Sequence, residues 1–246
     1  MTTAKQGMDY SDPRAPHSTE PGLLWLTLAI TVVTMATAQA QTSYSETLLH
    51  NFSNFPRGAN PPGGVIRDSA GNLYGTTLHG GAANAGVVYK LNTASHEMVL
   101  HSFTDGADGG YPYAGVILDS AGNLYGTTSQ GGTGSFGLVY RLDTNGNETV
   151  LYSFTGGADG GQPYAGVIRD SAGNLYGTTY NDGAGRGVVY ELDTAGQETV
   201  LYSFTGSTDG DGPEAGVIRD SAGNLFGTTS AGGKGSGGVV FKLKPQ

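Results

Sequence analysis

Four aspartates occupy one repeated position. Asp68, Asp119, Asp170 and Asp220 each open the stretch Asp-Ser-Ala-Gly-Asn. Brought together, they would make a ring of carboxylates able to hold a cation. Kept apart, each would accept hydrogen bonds from the backbone N–H groups of the turn that follows it, as Asp at a turn start commonly does. The identical five residues in every copy suit the second role. We read these four as structural turn residues.

A second set of carboxylates lies in Gly-rich loops: Asp105 and Asp108 in "TDGADGGYPYAG", Asp159 in "TGGADGGQPYAG", and Asp209 and Asp211 in "TGSTDGDGPEAG". Clustered oxygen ligands suit Ca²⁺. Asp209, Asp211, Asp105 and Asp108 are therefore weak Ca²⁺ candidates, although the spacing is not that of an EF-hand and no cofactor is required. Tyr113 and Tyr164 share one loop position. Aromatics displayed on loops can stack on sugar rings or anchor a protein partner, so both are candidate binding residues. The histidines outside the leader are His50, His79, His96 and His101, and only His50 and His101 share a repeat position. Tyr152 and Tyr202 stand there in the later copies, which reads as packing on a strand rather than base chemistry. No Gly-x-Ser-x-Gly elbow, His-Glu-x-x-His pair or phosphate loop is present.

The elements that would carry these residues follow from a repeat. "DSAGNLYGTT" recurs unchanged at Asp68, Asp119 and Asp170 and, with Phe226 for Tyr, at Asp220. Its Gly-Asn block starts at Gly71, Gly122, Gly173 and Gly223, spacings of 51, 51 and 50. The missing residue falls in the Gly-rich connector before "GVVYELD", as expected when loops vary and paired strands do not. Each unit holds four strand-like runs, such as "GVIRD", "LYGTT", "GVVYELD" and "ETVLYSF" in the third copy. The apolar runs are short and no helical period is visible. A four-stranded unit of this length repeated along a chain predicts β-propeller blades. The repeat region begins with a fourth-strand sequence, "ETLLHNF" at Glu46–Phe52, and ends on a third strand, "GGVVFKLK". The expected fold is thus an all-β propeller of four blades of ~51 residues, closed by the N-terminal strand. Half of an eight-bladed dimeric ring is the alternative.

Ahead of the repeats, Leu23–Ala38 is an apolar run without a charge, followed by Ala-x-Ala at Ala36/Ala38 and Ala38/Ala40. That is the pattern of a secretory signal peptide, and the run is short for a bilayer span, which needs about 20 residues. We expect a leader over 1–40 and the repeat domain over 41–246, in a protein that is secreted, periplasmic or at the cell surface. Its n-region is acidic, with Lys5 and Arg14 against Asp9, Asp12 and Glu20, and Met8 offers another start. An uncleaved leader would be the one route to a membrane.

Composition agrees with many turns and short strands, with 43 Gly and 10 Pro among 246 residues. The net charge is −9 and no Lys/Arg cluster offsets it, so the footprint of a nucleic-acid binder is missing. The chain has no cysteine, which excludes disulfides and thiolate metal sites and leaves the compartment open.

The unit "PYAGVIRDSAGNLYGTT…GVVYELDTAG" (Pro163–Gly196) resembles the GloVer tandem repeat of exported bacterial proteins. Its core, "GVIRDSAGNLY", is also similar to the NHL-type propeller repeat. The resemblance spans Glu46 to Lys244. It implies an exported propeller-like protein and no particular reaction, and the ending "KLKPQ" implies release rather than anchoring. Nearly identical blades make an asymmetric catalytic constellation hard to assemble. The expected function is a non-enzymatic surface or secreted binding or structural module, monomeric or homodimeric, for carbohydrate or a surface protein. The alternative is a hydrolase or lactonase with a metal in the central channel.

Overall fold

The computed structural model describes residues 42–53, 56–181 and 185–246; the leader expected over 1–40 lies outside them. Residues 1–46 and 47–246 are separate units, and every strand among the described residues lies in the second. No helix occurs among the described residues. The fold is all-β and β-propeller-like, with four antiparallel sheets following one another along the chain. Sheet one contains β1 (Ile66–Arg67), β2 (Leu73–Thr77), β3 (Val87–Leu91) and β4 (Glu97–Ser102). Sheet two contains β5 (Ile117–Leu118), β6 (Leu124–Thr128), β7 (Leu138–Leu142) and β8 (Glu148–Ser153). Sheet three contains β9 (Ile168–Arg169), β10 (Leu175–Thr179), β11 (Val188–Leu192) and β12 (Glu198–Ser203). Sheet four contains β13 (Ile218–Arg219), β14 (Leu225–Thr228) and β15 (Val240–Leu243). Each sheet is a simple meander.

The recurring decamer is the first hairpin of each sheet. Gly71 adopts φ +93 there, a region open to glycine without steric cost. Its later residues have a packing task that the sequence does not show. Gly75 pairs with Tyr89 across β2 and β3, and a Cβ on Gly75 would fall 2.5 Å from Tyr89 Oη. Gly126 faces Tyr140 and Gly177 faces Tyr190 in the same way. The glycine is the floor on which a buried aromatic ring lies. It persists opposite Phe241 in sheet four, so the ring and not the hydroxyl demands it.

The two threonines after that glycine are buried in the first three sheets, and the first of each pair joins neighbouring sheets. Thr76 Oγ1 donates to the Ala114 carbonyl at 2.8 Å, Thr127 to Ala165 at 2.9 Å, and Thr178 to Ala215 at 3.1 Å. Each acceptor lies just before the first strand of the next sheet. That strand is only two residues long, shorter than "GVIRD" suggests, because its leading residues face the preceding sheet instead of extending the ladder. Gly115 there approaches Gly64, while Gly166 approaches Gly115 and Gly216 approaches Gly166. Backbone and alanine Cβ atoms make up this line.

The core likewise straddles the sheets. Phe103, just after β4, packs with Leu138, Tyr140 and Leu142 of sheet two. Phe154 packs with Val188, Tyr190 and Leu192 of sheet three. Burial of aromatic and branched rows between adjacent sheets supplies the stability that isolated hairpins lack.

The expected closure by the N-terminal strand is not made. Sheet four has three strands, and Thr47–Phe52 joins no sheet. The segment is engaged elsewhere: Phe52 lies edge-on to Tyr89, 4.9 Å between centroids, and His50 Nε2 stands 3.4 Å from Glu97 Oε2. Those contacts hold its end against sheet one.

Candidate functional site

The first two boundaries between sheets place three positions together, and the third boundary keeps two of them because sheet four has no fourth strand. The three are residue five of one sheet's last strand, a loop carboxylate that follows it, and the Glu that opens the next sheet's last strand. At the boundary of sheets three and four, Tyr202 Oη donates to Asp209 Oδ2 at 3.0 Å. At the boundary of sheets two and three, Tyr152 Oη donates to Asp159 Oδ2 at 3.0 Å, and Glu198 is the opening glutamate. There the phenol satisfies the aspartate.

The boundary of sheets one and two differs by one residue. His101 on β4 replaces the tyrosine. Its Nε2 lies 3.5 Å from Asp108 Oδ2 and 3.9 Å from Glu148 Oε2. One ligating atom from each of the three falls within 4.8 Å of the others, and no other trio of such residues does so among the described residues. The side chains of His101, Asp108 and Glu148 are 18%, 20% and 11% exposed.

Local structure fixes each group. His101 is held in the β4 ladder opposite Val88, with its ring edge-on to Phe103 at 4.8 Å. Asp108 is oriented by its own loop, where the Thr104 backbone N–H donates to Oδ2 at 3.0 Å and the Thr104 hydroxyl donates to Oδ1. Glu148 pairs with Leu142 at the start of β8. Two atoms in this group are buried without a hydrogen-bond partner: His101 Nε2 and Glu148 Oε1. A buried polar atom left unpaired costs about 1–3 kcal/mol; Glu97 and Glu198, at the same repeat position as Glu148, also carry unpartnered oxygens, and the unpartnered imidazole nitrogen of His101 is particular to this boundary.

The electrostatics follow from burial. Desolvation, opposed by the Asp108 charge, lowers the His101 pKa and favours neutral imidazole with a free lone pair. Desolvation, reinforced by the like charge of Asp108, raises Glu148 to about 8. Tyr140, fully buried beside Glu148, is pushed above the ordinary phenol range, mainly by burial. Pairs of groups whose surroundings shift them in opposite senses are common at working sites.

The remaining candidate residues are placed as follows. Asp68 accepts from the Asn72 backbone N–H at 2.8 Å, the Asn72 side-chain amide at 2.7 Å and the Tyr74 hydroxyl at 2.9 Å. These bonds, led by Asn72, hold its pKa down at about 2. Asp119 and Asp170 make the corresponding set with Asn123 and Tyr125 and with Asn174 and Tyr176. Asp220 keeps the Asn224 bonds and has Phe226 in place of the tyrosine. The four sit in separate hairpins and form no ring.

Of the Ca²⁺ candidates, only Asp108 joins the trio. Asp209 is engaged by Thr205 and Tyr202. Asp211 pairs with Arg186 at 3.0 Å. Asp105 occupies a turn at φ +61. Tyr113 and Tyr164, one period apart, meet edge-on with centroids 4.9 Å apart, and Tyr180 stands 5.1 Å beyond Tyr164. With Glu214 they line an open bowl of about 420 Å³.

Glu148 was not singled out in the sequence. The available signal was a glutamate opening every fourth-strand segment: Glu46, Glu97, Glu148 and Glu198. Charged residues are depleted in strands, so a carboxylate recurring there marks a position with a task.

The profile of the Gloeobacter/Verrucomicrobia repeat matches residues 30–241. The chain belongs to this repeat family. The match reaches from before sheet one into β15 and takes in the whole candidate site. No curated protein sequence matches the chain. Among solved structures, the repeat protein is similar to one provisionally named a gluconolactonase, at 17% identity over 74% of this chain and 63% of that one, TM-score 0.43. It is also similar to a luciferin-regenerating enzyme, at 18% identity over 74% of this chain and 60% of that one, TM-score 0.46. The chain spans under two thirds of the length of either.

Both similar structures carry the names of enzymes, where the sequence reading expected a non-enzymatic binding or structural module. That expectation rested on the near-identity of the repeats. His101 and Glu148 come from neighbouring repeats, and near-identity of the repeats hides the one boundary where they differ.

Proposed function

We propose that this repeat protein is an exported hydrolase of esters or lactones, working with a divalent cation held by His101, Asp108 and Glu148. The observation that carries the proposal is the convergence of an imidazole and two carboxylates within 4.8 Å at a single sheet boundary. The donor set of one nitrogen and two carboxylates suits Zn²⁺ better than Ca²⁺, which prefers oxygen alone. The residues fit such an ion: His101 Nε2 and Glu148 Oε1 are buried and unpartnered, and the ion supplies what they lack. The glycine-lined approach of the first strands offers no ligands, so the site lies between two sheets and not in a central channel.

When bound, the cation polarises an acyl carbonyl and acidifies a water molecule. His101 presents neutral Nε2 because burial disfavours its protonation. Asp108 is fixed by Thr104 and brings charge to the site. Glu148 would hold the ion as a carboxylate, its proton released to solvent. We take water as the attacking group, which makes hydrolysis the reaction class. The bowl of Tyr113, Tyr164 and Tyr180, with Glu214 at its rim, is suited to stacking on a sugar-type ring. Segment 104–115 carries both Asp108 and Tyr113. Sugar lactones are therefore the first substrates to try, and the provisionally named gluconolactonase is of that class by name.

Export rests on the apolar run Leu23–Ala38 and the Ala-x-Ala sites after it. We take the four sheets as four blades. The test is a pH-stat assay of the purified chain on a panel of sugar lactones and simple esters, with added Zn²⁺ and with chelator. Zn²⁺-dependent acid release on at least one lactone is expected. No release above the uncatalysed rate on any substrate overturns the proposal.

A further inference from the structure

The contact between successive sheets occurs three times inside the chain and is built from the same parts. A threonine hydroxyl donates to the carbonyl before the next first strand. An aromatic residue after the last strand lies edge-on to the third-strand aromatic of the next sheet: Phe103 on Tyr140, Phe154 on Tyr190, Phe204 on Phe241, with centroids 5.2, 5.1 and 5.2 Å apart. The two ends of the array each present half of this contact.

At the C-terminal end, sheet four lacks a fourth strand. Val240 on its open edge is 82% exposed. Thr228, counterpart of the three buried donors, is exposed. A groove of about 310 Å³ runs along β15 past Tyr202 and Asp209. At the N-terminal end, Thr47–Phe52 has the opposite defect, a fourth-strand sequence without a sheet. Leu48 is 68% exposed, yet Phe52 already lies on Tyr89 at 4.9 Å, just as Phe103 lies on Tyr140. The segment is thus placed as the end of a sheet that would precede sheet one. That preceding sheet is not sheet four of the same chain, since Thr47–Phe52 forms no ladder with β15 among the described residues.

We infer that β15 takes Thr47–Phe52 of a second copy of this chain as its fourth strand, in a head-to-tail contact that repeats the internal sheet boundary. The register follows from sheet one, where Val88 pairs with His101, Tyr89 with Val99 and Lys90 with Met98. By equivalence Val240 faces His50, Phe241 faces Leu48 and Lys242 faces Thr47. The Thr228 hydroxyl then donates to the Gly63 carbonyl of the second copy, Gly63 standing five residues before Asp68 as Ala114 stands before Asp119. The contact covers an open sheet edge, which proteins rarely leave bare, and it is heterologous, so it closes a ring or continues as a chain.

The chain has no cysteine, so one variant carrying both Thr47→Cys and Lys242→Cys reports the pairing directly. After mild oxidation, a non-reducing gel is expected to show covalent species of two or more chains that reduction collapses to one. A crosslink confined within single chains overturns the inference in favour of self-closure, and no crosslink overturns it outright. Light scattering on the unmodified protein provides a second arm. The native mass is expected to be at least twice that of the denatured chain, and Val240→Lys, at an exposed position, is expected to reduce it to one chain. A single-chain mass for the unmodified protein, or an unchanged mass for Val240→Lys, overturns the inference.

Discussion

His101 Nε2 lies 3.9 Å from Glu148 Oε2 across the boundary between sheets one and two, and Tyr152 and Glu198 hold the equivalent repeat positions at the next boundary. One substitution between copies sets an imidazole beside two carboxylates at this joint. The three glutamates that open β4, β8 and β12 are buried or half-buried, and burial has consequences that can be measured.

Glu198 gives the clearest pH signature, because it lies outside the trio. Burial, with the Asp159 charge behind it, raises its pKa from 4.5 to about 7. The folded state therefore binds a proton more tightly than the unfolded state. Its contribution to stability is fully present below pH 4.5 and is lost as pH rises through about 7. Glu198→Gln should match the parent at the acid end and become progressively more stable relative to it up to about pH 7. Thermal melts across that range check this; a constant difference would remove Glu198 as the cause.

Gly126 is expected to tolerate no side chain. An added Cβ would lie 2.6 Å from Tyr140 Cζ, and Tyr140 is fully buried. Gly126→Ala should lose about 3 kcal/mol or more, the upper range for overpacking a core, by urea unfolding.

Tyr140 itself carries a buried hydroxyl with no partner. Tyr140→Phe should be neutral or gain about 1 kcal/mol, since removing an unsatisfied buried group is favourable. Phe241 already fills the equivalent place in sheet four. A loss above about 1 kcal/mol would mean that the hydroxyl does have a partner.

Thr127 tests the joints between sheets. Its hydroxyl reaches the Ala165 carbonyl at 2.9 Å in a buried setting. Thr127→Val keeps the shape and removes the donor, so unfolding free energy should fall by about 1–2 kcal/mol, while Thr133→Val, on an exposed loop, should leave it unchanged.

Much of this was legible in the sequence. The period, the order of strands and the position of the first hairpin follow from the recurring decamer alone, since turn chemistry and alternation are local. The pairing of Tyr113 with Tyr164 was half legible: one shared repeat position suggests a shared surface but not the 4.9 Å contact. The convergence at His101 was hidden because its equivalents are tyrosines, and packing explains a tyrosine on a strand well. Its partners are seven and 47 residues away, in a loop and on another sheet, and only the angle between sheets decides that they meet. The fate of Thr47–Phe52 was hidden for the same reason. Sequence shows which strand is surplus and not which sheet receives it.

The most direct measurement compares the parent protein with His101→Tyr. That change writes into sheet one the residue that stands at 152 and 202, so folding should be preserved and the melting temperature should stay within a few degrees. Calorimetric titration with Zn²⁺, alongside lactone hydrolysis, reads the site. The parent is expected to bind one Zn²⁺ per chain and to hydrolyse lactone only when it is present, and His101→Tyr is expected to lose both. A parent that binds no Zn²⁺, or a His101→Tyr protein that binds and hydrolyses as the parent does, would contradict the account.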